Sequence, residues 1–195
     1  MSERLSWTDY FMNVAKTISQ RSTCDRGKPG CVFVKNNQIL ATGYAGSPPG
    51  LPHCDEVGHG MEERIRFINE KDFCKLHPDI KDPSKVNIEF SYGPYVYKPT
   101  LKRYELPPSQ HCVRTTHAEM NAIIQAARRG TALEGSTVYV TMTPCRDCTK
   151  ALITVGVVEV VADKLYQKAQ DSLDMFAKVG IKVTHLDNSI QEYNK

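Results

Sequence analysis

Residues 116–130, THAEMNAIIQAARRG, and residues 137–148, TVYVTMTPCRDC, decide the fold and point to its chemistry. The first reads as a helix from about Thr116 to Arg129, stopped by Gly130. The second reads as a β-strand, Thr137-Val138-Tyr139-Val140-Thr141, followed by a helix that Pro144 opens at its first position. Strand Val157–Val161, a helix near Ser172–Val179 and a strand near Lys182–His185 continue the alternation.

Upstream, Phe11, Val14, Ala15 and Ile18 mark an amphipathic helix capped near Ser6 or Thr8. Two apolar runs follow, Cys31–Val34 and Ile39–Thr42, and Asn36-Asn37 between them favours a tight hairpin turn. Residues 43–50, rich in Gly and Pro, read as loop. An antiparallel hairpin followed by helix–strand alternation predicts an α/β fold, a three-layer α-β-α arrangement on a mixed five-stranded sheet. The core spans about residues 5–55 and 110–186 of a single domain covering 1–195. Between them, about 56–109, the pattern changes. Met61, Ile65 and Ile68 suggest a short helix, and Pro78, Pro83, Pro94, Pro99, Pro107 and Pro108 then break regular structure. The Tyr92–Tyr97 piece has no assignable element, and the whole stretch reads as an insertion.

The 195 residues are 41% hydrophobic and 24% charged, ordinary for a globular chain. A net charge of +3 gives no ground for a nucleic-acid or membrane partner, and no apolar run approaches the ~20 residues that span a bilayer. Met1-Ser2-Glu3-Arg4-Leu5 is polar and does not read as a signal peptide, so a cytoplasmic setting is expected. There, seven cysteines point to metal rather than disulfides.

His117-Ala118-Glu119 and Pro144-Cys145-Arg146-Asp147-Cys148 carry the chemistry. Cys145 and Cys148, three apart in a first helical turn, bring two sulfurs to one point where the helix dipole favours thiolates. Zinc prefers such thiolates together with an imidazole, and three protein ligands leave a fourth tetrahedral position for water. Residues two apart on a regular helix face roughly opposite ways. His117 and Glu119 therefore share a site only if His117 stands at the helix start, outside helical geometry. Glu119 is then placed to move protons without binding metal. A lone Cys-x-x-Cys also fits a redox pair or half a structural zinc site; the upstream His-x-Glu argues against both.

With those residues in hand, the chain resembles the deoxycytidylate (dCMP) deaminases of the zinc-dependent cytidine/deoxycytidylate deaminase superfamily, whose His-x-Glu…Pro-Cys-x-x-Cys pattern it shares. The resemblance extends to Trp7–Met12, Arg21–Arg26, Gly43–Pro48 and His117–Ile123. It implies the reaction dCMP + water → dUMP + ammonia, with zinc on His117, Cys145 and Cys148 and Glu119 as the catalytic proton carrier. It also implies dUMP supply for thymidylate synthesis, activation by dCTP, inhibition by dTTP, and a homohexamer. Ser22, Thr23 and Arg26 become candidates for the substrate 5′-phosphate, Ala118 for a further substrate contact, and Tyr166 for stacking on the pyrimidine. Gly43, Tyr44, Ala45 and Gly46 correspond to the regulatory nucleotide motif, where Mg2+ could accompany the nucleotide. Two departures stand out: Ala45 replaces the usual asparagine, which puts regulation in doubt, and Pro29 stands where valine is common.

Some members of the family hold a second, structural zinc. The resemblance puts it on Cys24, Cys54, His111 and Cys112, with His53 as a substitute. Cys31 and Cys74 read as ordinary core or surface residues, and His59, His77 and His185 as solvated side chains without partners. The competing readings are another superfamily deaminase, acting on free cytidine, tRNA adenosine or DNA, and a non-catalytic zinc-binding interaction module.

Overall fold

The structure, a computed structural model, describes residues 4–64, 67–69, 71, 73–74, 96–98, 103–105, 109–166 and 168–191. The chain forms two compact units, residues 1–59 with 114–195, and residues 60–113. In chain order the elements begin with α1 (Trp7–Ser19), β1 (Gly30–Lys35), β2 (Gln38–Tyr44) and α2 (Cys54–Val57). Next come β3 (Met61–Arg64), β4 (Phe67–Asn69), β5 (Val96–Lys98), β6 (Arg103–Glu105) and β7 (Ser109–Cys112). The chain continues through α3 (Ala118–Arg129), β8 (Thr137–Met142), α4 (Arg146–Thr154), β9 (Glu159–Tyr166), α5 (Gln170–Lys178), β10 (Lys182–His185) and β11 (Ile190–Gln191).

In the larger unit the strands run in the order β10-β9-β8-β1-β2, and the two-residue β11 adds a sixth strand by pairing with the end of β9. Strand β1 is antiparallel to β2 and β8, whereas β8, β9 and β10 are parallel. The sheet is mixed, as expected. Asn36 and Asn37 have φ of 51° and 58°, the left-handed pair that a two-residue hairpin turn requires.

Both faces of the sheet are covered, and the two-residue strand period sorts its side chains between them. Val32, Val34, Tyr139 and Val161 pack with Phe11, Met12 and Ala15 of α1. Cys31, Phe33, Val138, Val140, Val160 and Ala162 face the other way, onto Ala118, Ala122 and Ala126 of α3, Leu152 of α4 and Phe176 of α5. That division explains why β1 is buried from Gly30 to Val34 instead of alternating. It gives the three-layer α-β-α arrangement.

Three sequence expectations need correction. Helix α4 begins at Arg146, so Pro144 precedes the cap, and Cys145 is itself the N-cap with extended φ,ψ of −70°, 166°. Strand β9 starts at Glu159 and runs to Tyr166, because Val157 bonds back to Leu152 and so finishes the preceding helix turn. The helix expected around Met61 is a strand. Met61–Arg64 pairs antiparallel with Ser109–Cys112, a long-range ladder that a three-residue apolar spacing cannot foresee.

The smaller unit therefore has regular structure of its own, the β3–β7 pair and a second antiparallel sheet ordered β4-β6-β5. Ile65, Tyr92–Tyr95, and Pro78, Pro83, Pro94, Pro99, Pro107 and Pro108 lie outside the described residues.

The fit of α3 on the sheet depends on Gly43. A Cβ there would lie 2.1 Å from the Ala118 carbonyl oxygen and 2.6 Å from the Ala122 nitrogen. Neither backbone group can yield without moving the helix that starts beside His117. Gly43→Ala is expected to destabilise the fold by about 1–3 kcal/mol or more, read as a fall in Tm, and to cut activity further than stability alone explains.

Candidate metal centre and active site

His117 is the N-cap of α3, with φ,ψ of −66°, 157°. Its extended backbone removes the conflict between residues two apart on a helix, so the imidazole and the Glu119 carboxylate serve one region. Asn121 secures this corner. Its amide donates to the carbonyls of Tyr44 (2.8 Å) and Thr116 (3.3 Å), tying the end of β2 to the turn before the helix. Cys145 caps α4 in the same way, and Cys148 sits in that helix's first turn.

His117 Nδ1 is 3.4 Å from both Cys145 Sγ and Cys148 Sγ. Zinc bonds of about 2.3 Å to sulfur and 2.0 Å to nitrogen at a tetrahedral angle would separate the two ligand atoms by about 3.5 Å. The donor set thus fits zinc in both chemistry and spacing. Among the described residues the group holds three donors, the number that leaves a zinc position for water.

Glu119 is 5% exposed. Burial pushes its carboxyl pKa up, against the opposing pull of the nearby His117. As thiols, the two cysteines share a proton. The Cys148 S–H donates to Cys145 and lowers the Cys145 pKa to about 4, while Cys148 itself is driven strongly upward. The direction that matters is a ready thiolate at Cys145. Cys31, wholly buried in β1, has its thiol pushed up by burial and by the Glu119 charge, and reads as packing.

A second group of donors gathers in the larger unit, with ligand atoms of Cys24, Cys54 and His59 within 4.8 Å of one another. His59 Nδ1 is 3.7 Å from Cys24 Sγ, again near the spacing of a shared zinc, and its Nε2 meets Asp25 Oδ1 at 2.9 Å. A carboxylate on the far ring nitrogen is the usual way to orient a metal-binding histidine. The expectation of a solvated His59 was wrong, because its partners come from residues 24–25, far away in sequence. The Cys54-x-x-x-x-His59 spacing was the signal available. His53 does not join the group: its backbone N–H bonds Glu56 (3.1 Å) and its Nδ1 is buried without a partner. Cys112 ends β7 in the smaller unit, and the His111 side chain lies outside what is described.

The loop of residues 21–26 meets the Gly43–Gly46 turn, with Thr23 N–H donating to the Ala45 carbonyl (3.1 Å). Ser22 Oγ also donates to that carbonyl (2.8 Å), so its hydroxyl serves the loop itself. Thr23 Oγ1 and the neighbouring Ser47 Oγ are buried without partners, which suits them to a polar ligand; Arg26 is half-buried. Ala118 is fully buried, its side chain facing the core. Backbone groups of Ala45 and Gly46 are engaged within the chain, Ala45 N–H to Pro29 and Gly46 in a two-way bridge with Thr116. Tyr166 ends β9, beside the Thr143-Pro144-Cys145 corner at the carboxyl ends of the parallel strands. His185 was also misjudged as solvated. Its Nε2 lies 3.0 Å from Thr143 Oγ1.

Fold and donor set together define a zinc-dependent deaminase, with a His-x-Glu at the start of α3 meeting a capped Cys-x-x-Cys at the start of α4 on one face of a mixed sheet. The cytidine and deoxycytidylate deaminase zinc-binding region matches residues 5–164, and the chain belongs to that family. It is 33% identical over 174 residues to the deoxycytidylate deaminase of enterobacteria phage T2, covering 88% of each chain. It is 29% identical to ComE operon protein 2 of Bacillus subtilis, covering 95% of this chain and 74% of that one. Among solved structures it resembles the dCMP deaminase of cyanophage S-TIM5, with a TM-score of 0.59 and 23% identity over 94% of this chain and 99% of that one. No helix among the described residues is long and apolar enough to cross a membrane.

Both donor groups are expected to fill, so metal analysis should find two zinc ions per chain. Cys24→Ser or His59→Ala should reduce this to one and lower Tm, because closed thiolate sites contribute folding free energy. Asp25→Asn should weaken the same site by about 10- to 100-fold, leaving the other unaffected.

Proposed function

We propose that the protein deaminates dCMP hydrolytically to dUMP and ammonia. The observation that carries this is a buried glutamate, Glu119, two residues after the histidine of a three-donor group whose spacing fits zinc. The phage T2 relative is named a deoxycytidylate deaminase, and the cyanophage protein was also solved with dCMP and dUMP bound. When bound, zinc supplies a Lewis acid that brings a water's pKa down to about 7. His117, Cys145 and Cys148 would hold it, the two thiolates balancing its formal charge.

Glu119 would then carry one proton of the attacking water to the ring nitrogen and afterwards move the second, from the newly added hydroxyl, to the amino group, which departs as ammonia. Its burial suits a shuttle, since a raised carboxyl pKa brings acid and base forms closer to working pH. Tyr166 would stack on the pyrimidine, and Thr23 and Arg26 would take the 5′-phosphate. Ser22, with its hydroxyl bonded inside the loop, would support them; a contact from Ala118 would come through its backbone. The product dUMP would feed a methylation that makes thymidylate. The setting would be cytoplasmic, where thiols stay reduced and can hold metal.

In this reading the chain is one deaminase domain with residues 60–113 inserted, and the second zinc is structural, on Cys24, Cys54 and His59. Cys112 would complete that set on the strength of the sequence reading. Regulation by dCTP and dTTP, with Mg2+ accompanying the nucleotide, and a homohexamer rest on resemblance. Ala45 offers no side-chain hydrogen bond, so regulation would need groups other than those at 45–46, whose backbone is already engaged. If regulation operates, dCTP should sharpen or raise the dCMP saturation curve and dTTP oppose it, with a coupling of about 1–3 kcal/mol. Hyperbolic kinetics indifferent to both would mark an unregulated enzyme.

The decisive test is ammonia release from dCMP, CMP, cytidine and adenosine-bearing RNA, with Glu119→Gln alongside. dCMP should be preferred, and Glu119→Gln should keep fold and zinc but lose at least ~10²–10⁴-fold in activity. His117→Ala should lose zinc as well. Near-parental turnover by Glu119→Gln with zinc bound would overturn the mechanism, and preference for another substrate would reassign the specificity.

A further inference from the structure

Three parallel strands end around Thr143, a fully buried residue immediately before Pro144-Cys145. Its backbone N–H donates to the Lys164 carbonyl (3.0 Å), and its hydroxyl lies 3.2 Å from the same oxygen. The Tyr166 N–H donates to Thr143 Oγ1 at 3.3 Å, and His185 Nε2 lies 3.0 Å from it. A hydroxyl has one proton to give and two lone pairs to receive. All three side-chain contacts can be hydrogen bonds together in one arrangement only. Thr143 donates to Lys164, and both the Tyr166 N–H and a His185 Nε2–H donate to Thr143.

The end of β9 needs such support. Register pairing of β9 with β8 stops at Met142↔Lys164, and pairing with β10 stops at His185↔Ala162. Beyond those points Tyr166 is held on one edge by β11, through Gln191↔Tyr166. On the other edge its N–H donates to the Thr143 hydroxyl. The same residue that steadies Tyr166 therefore fixes the strand end from which Cys145 follows two residues later.

We infer that Thr143 and His185 are positioning residues that set the Tyr166 strand end against the zinc-ligand corner, and so tune substrate binding. The inference rests on the reading of Tyr166 as the group that stacks on the pyrimidine. His185 touches neither the metal donors nor the substrate in this scheme. It orients the Thr143 hydroxyl by filling one of its lone pairs with the Nε2 proton, in the tautomer that leaves Nδ1 bare.

The experiment measures kcat, KM for dCMP and zinc content for His185→Leu, His185→Gln, Thr143→Val, Thr143→Ser and Tyr166→Ala. His185→Leu and Thr143→Val should keep zinc and raise KM about five- to tenfold, the size of one lost hydrogen bond, with kcat changed less than about threefold. His185→Gln, whose amide can donate from the Nε2 position, and Thr143→Ser, which keeps the hydroxyl, should restore most of the loss. Adding His185→Leu to Tyr166→Ala should raise KM no further than Tyr166→Ala alone. If Tyr166→Ala leaves KM unchanged, the stacking reading fails. If it raises KM while His185→Leu and Thr143→Val do not, or if their effects add, the positioning inference fails. Nitrogen-15 NMR on the unaltered protein gives a readout that needs no variant to fold. His185 should carry its proton on Nε2, and a proton on Nδ1 overturns the scheme.

Discussion

Everything at this site depends on two helices beginning at the same place. His117 and Cys145 are both N-cap residues in extended conformation, and Cys148 lies in the first turn behind the second cap. A cap can aim its side chain away from the helix it starts, so three donors converge to 3.4 Å contacts from elements that do not cross. Helix N-termini carry positive partial charge, and two of them facing one spot favour thiolates there. The approach of α3 needs Gly43, where any Cβ would strike the helix backbone.

The same convergence makes Glu119 tenable. A carboxylate 5% exposed among apolar residues would normally be neutral, and burial does raise its pKa. His117 pulls in the other direction and favours the charged form. A group balanced in this way changes protonation state at small cost, which is what a shuttle between water, ring and leaving amine requires.

Much of this was legible in the sequence because it is local. The His117–Glu119 conflict forced His117 to the helix start before any coordinates, and Asn36-Asn37 announced the hairpin through backbone chirality alone. What escaped was non-local. His59 finds Cys24 and Asp25 some 35 residues upstream, and His185 finds Thr143 42 residues upstream. A single histidine in a polar stretch carries no trace of such a partner. The Met61 strand was missed for a related reason, since its pairing partner at residues 109–112 lies across the whole insertion. Pro144 misled by one helical position: its preference for the first turn is statistical, and a cysteine that must face a metal donor set occupied the cap instead.

The second donor group has a structural logic of its own. Cys24 lies in the loop between α1 and β1, Cys54 begins α2, and His59 is the last residue before the chain leaves the larger unit. Between Cys24 and Cys54 the chain makes the whole β1–β2 hairpin, so a shared metal would close a loop of about 30 residues, whose entropy cost grows only slowly with length. It would also pin the 21–26 loop, whose Thr23 N–H bonds Ala45 and whose carbonyl accepts from Asp55 N–H. Those bonds hold the phosphate candidate Thr23 through its N–H on the hairpin side and through its carbonyl on the α2 side. The orphaned Thr23 hydroxyl is then a pre-set hydrogen-bonding group on a held backbone.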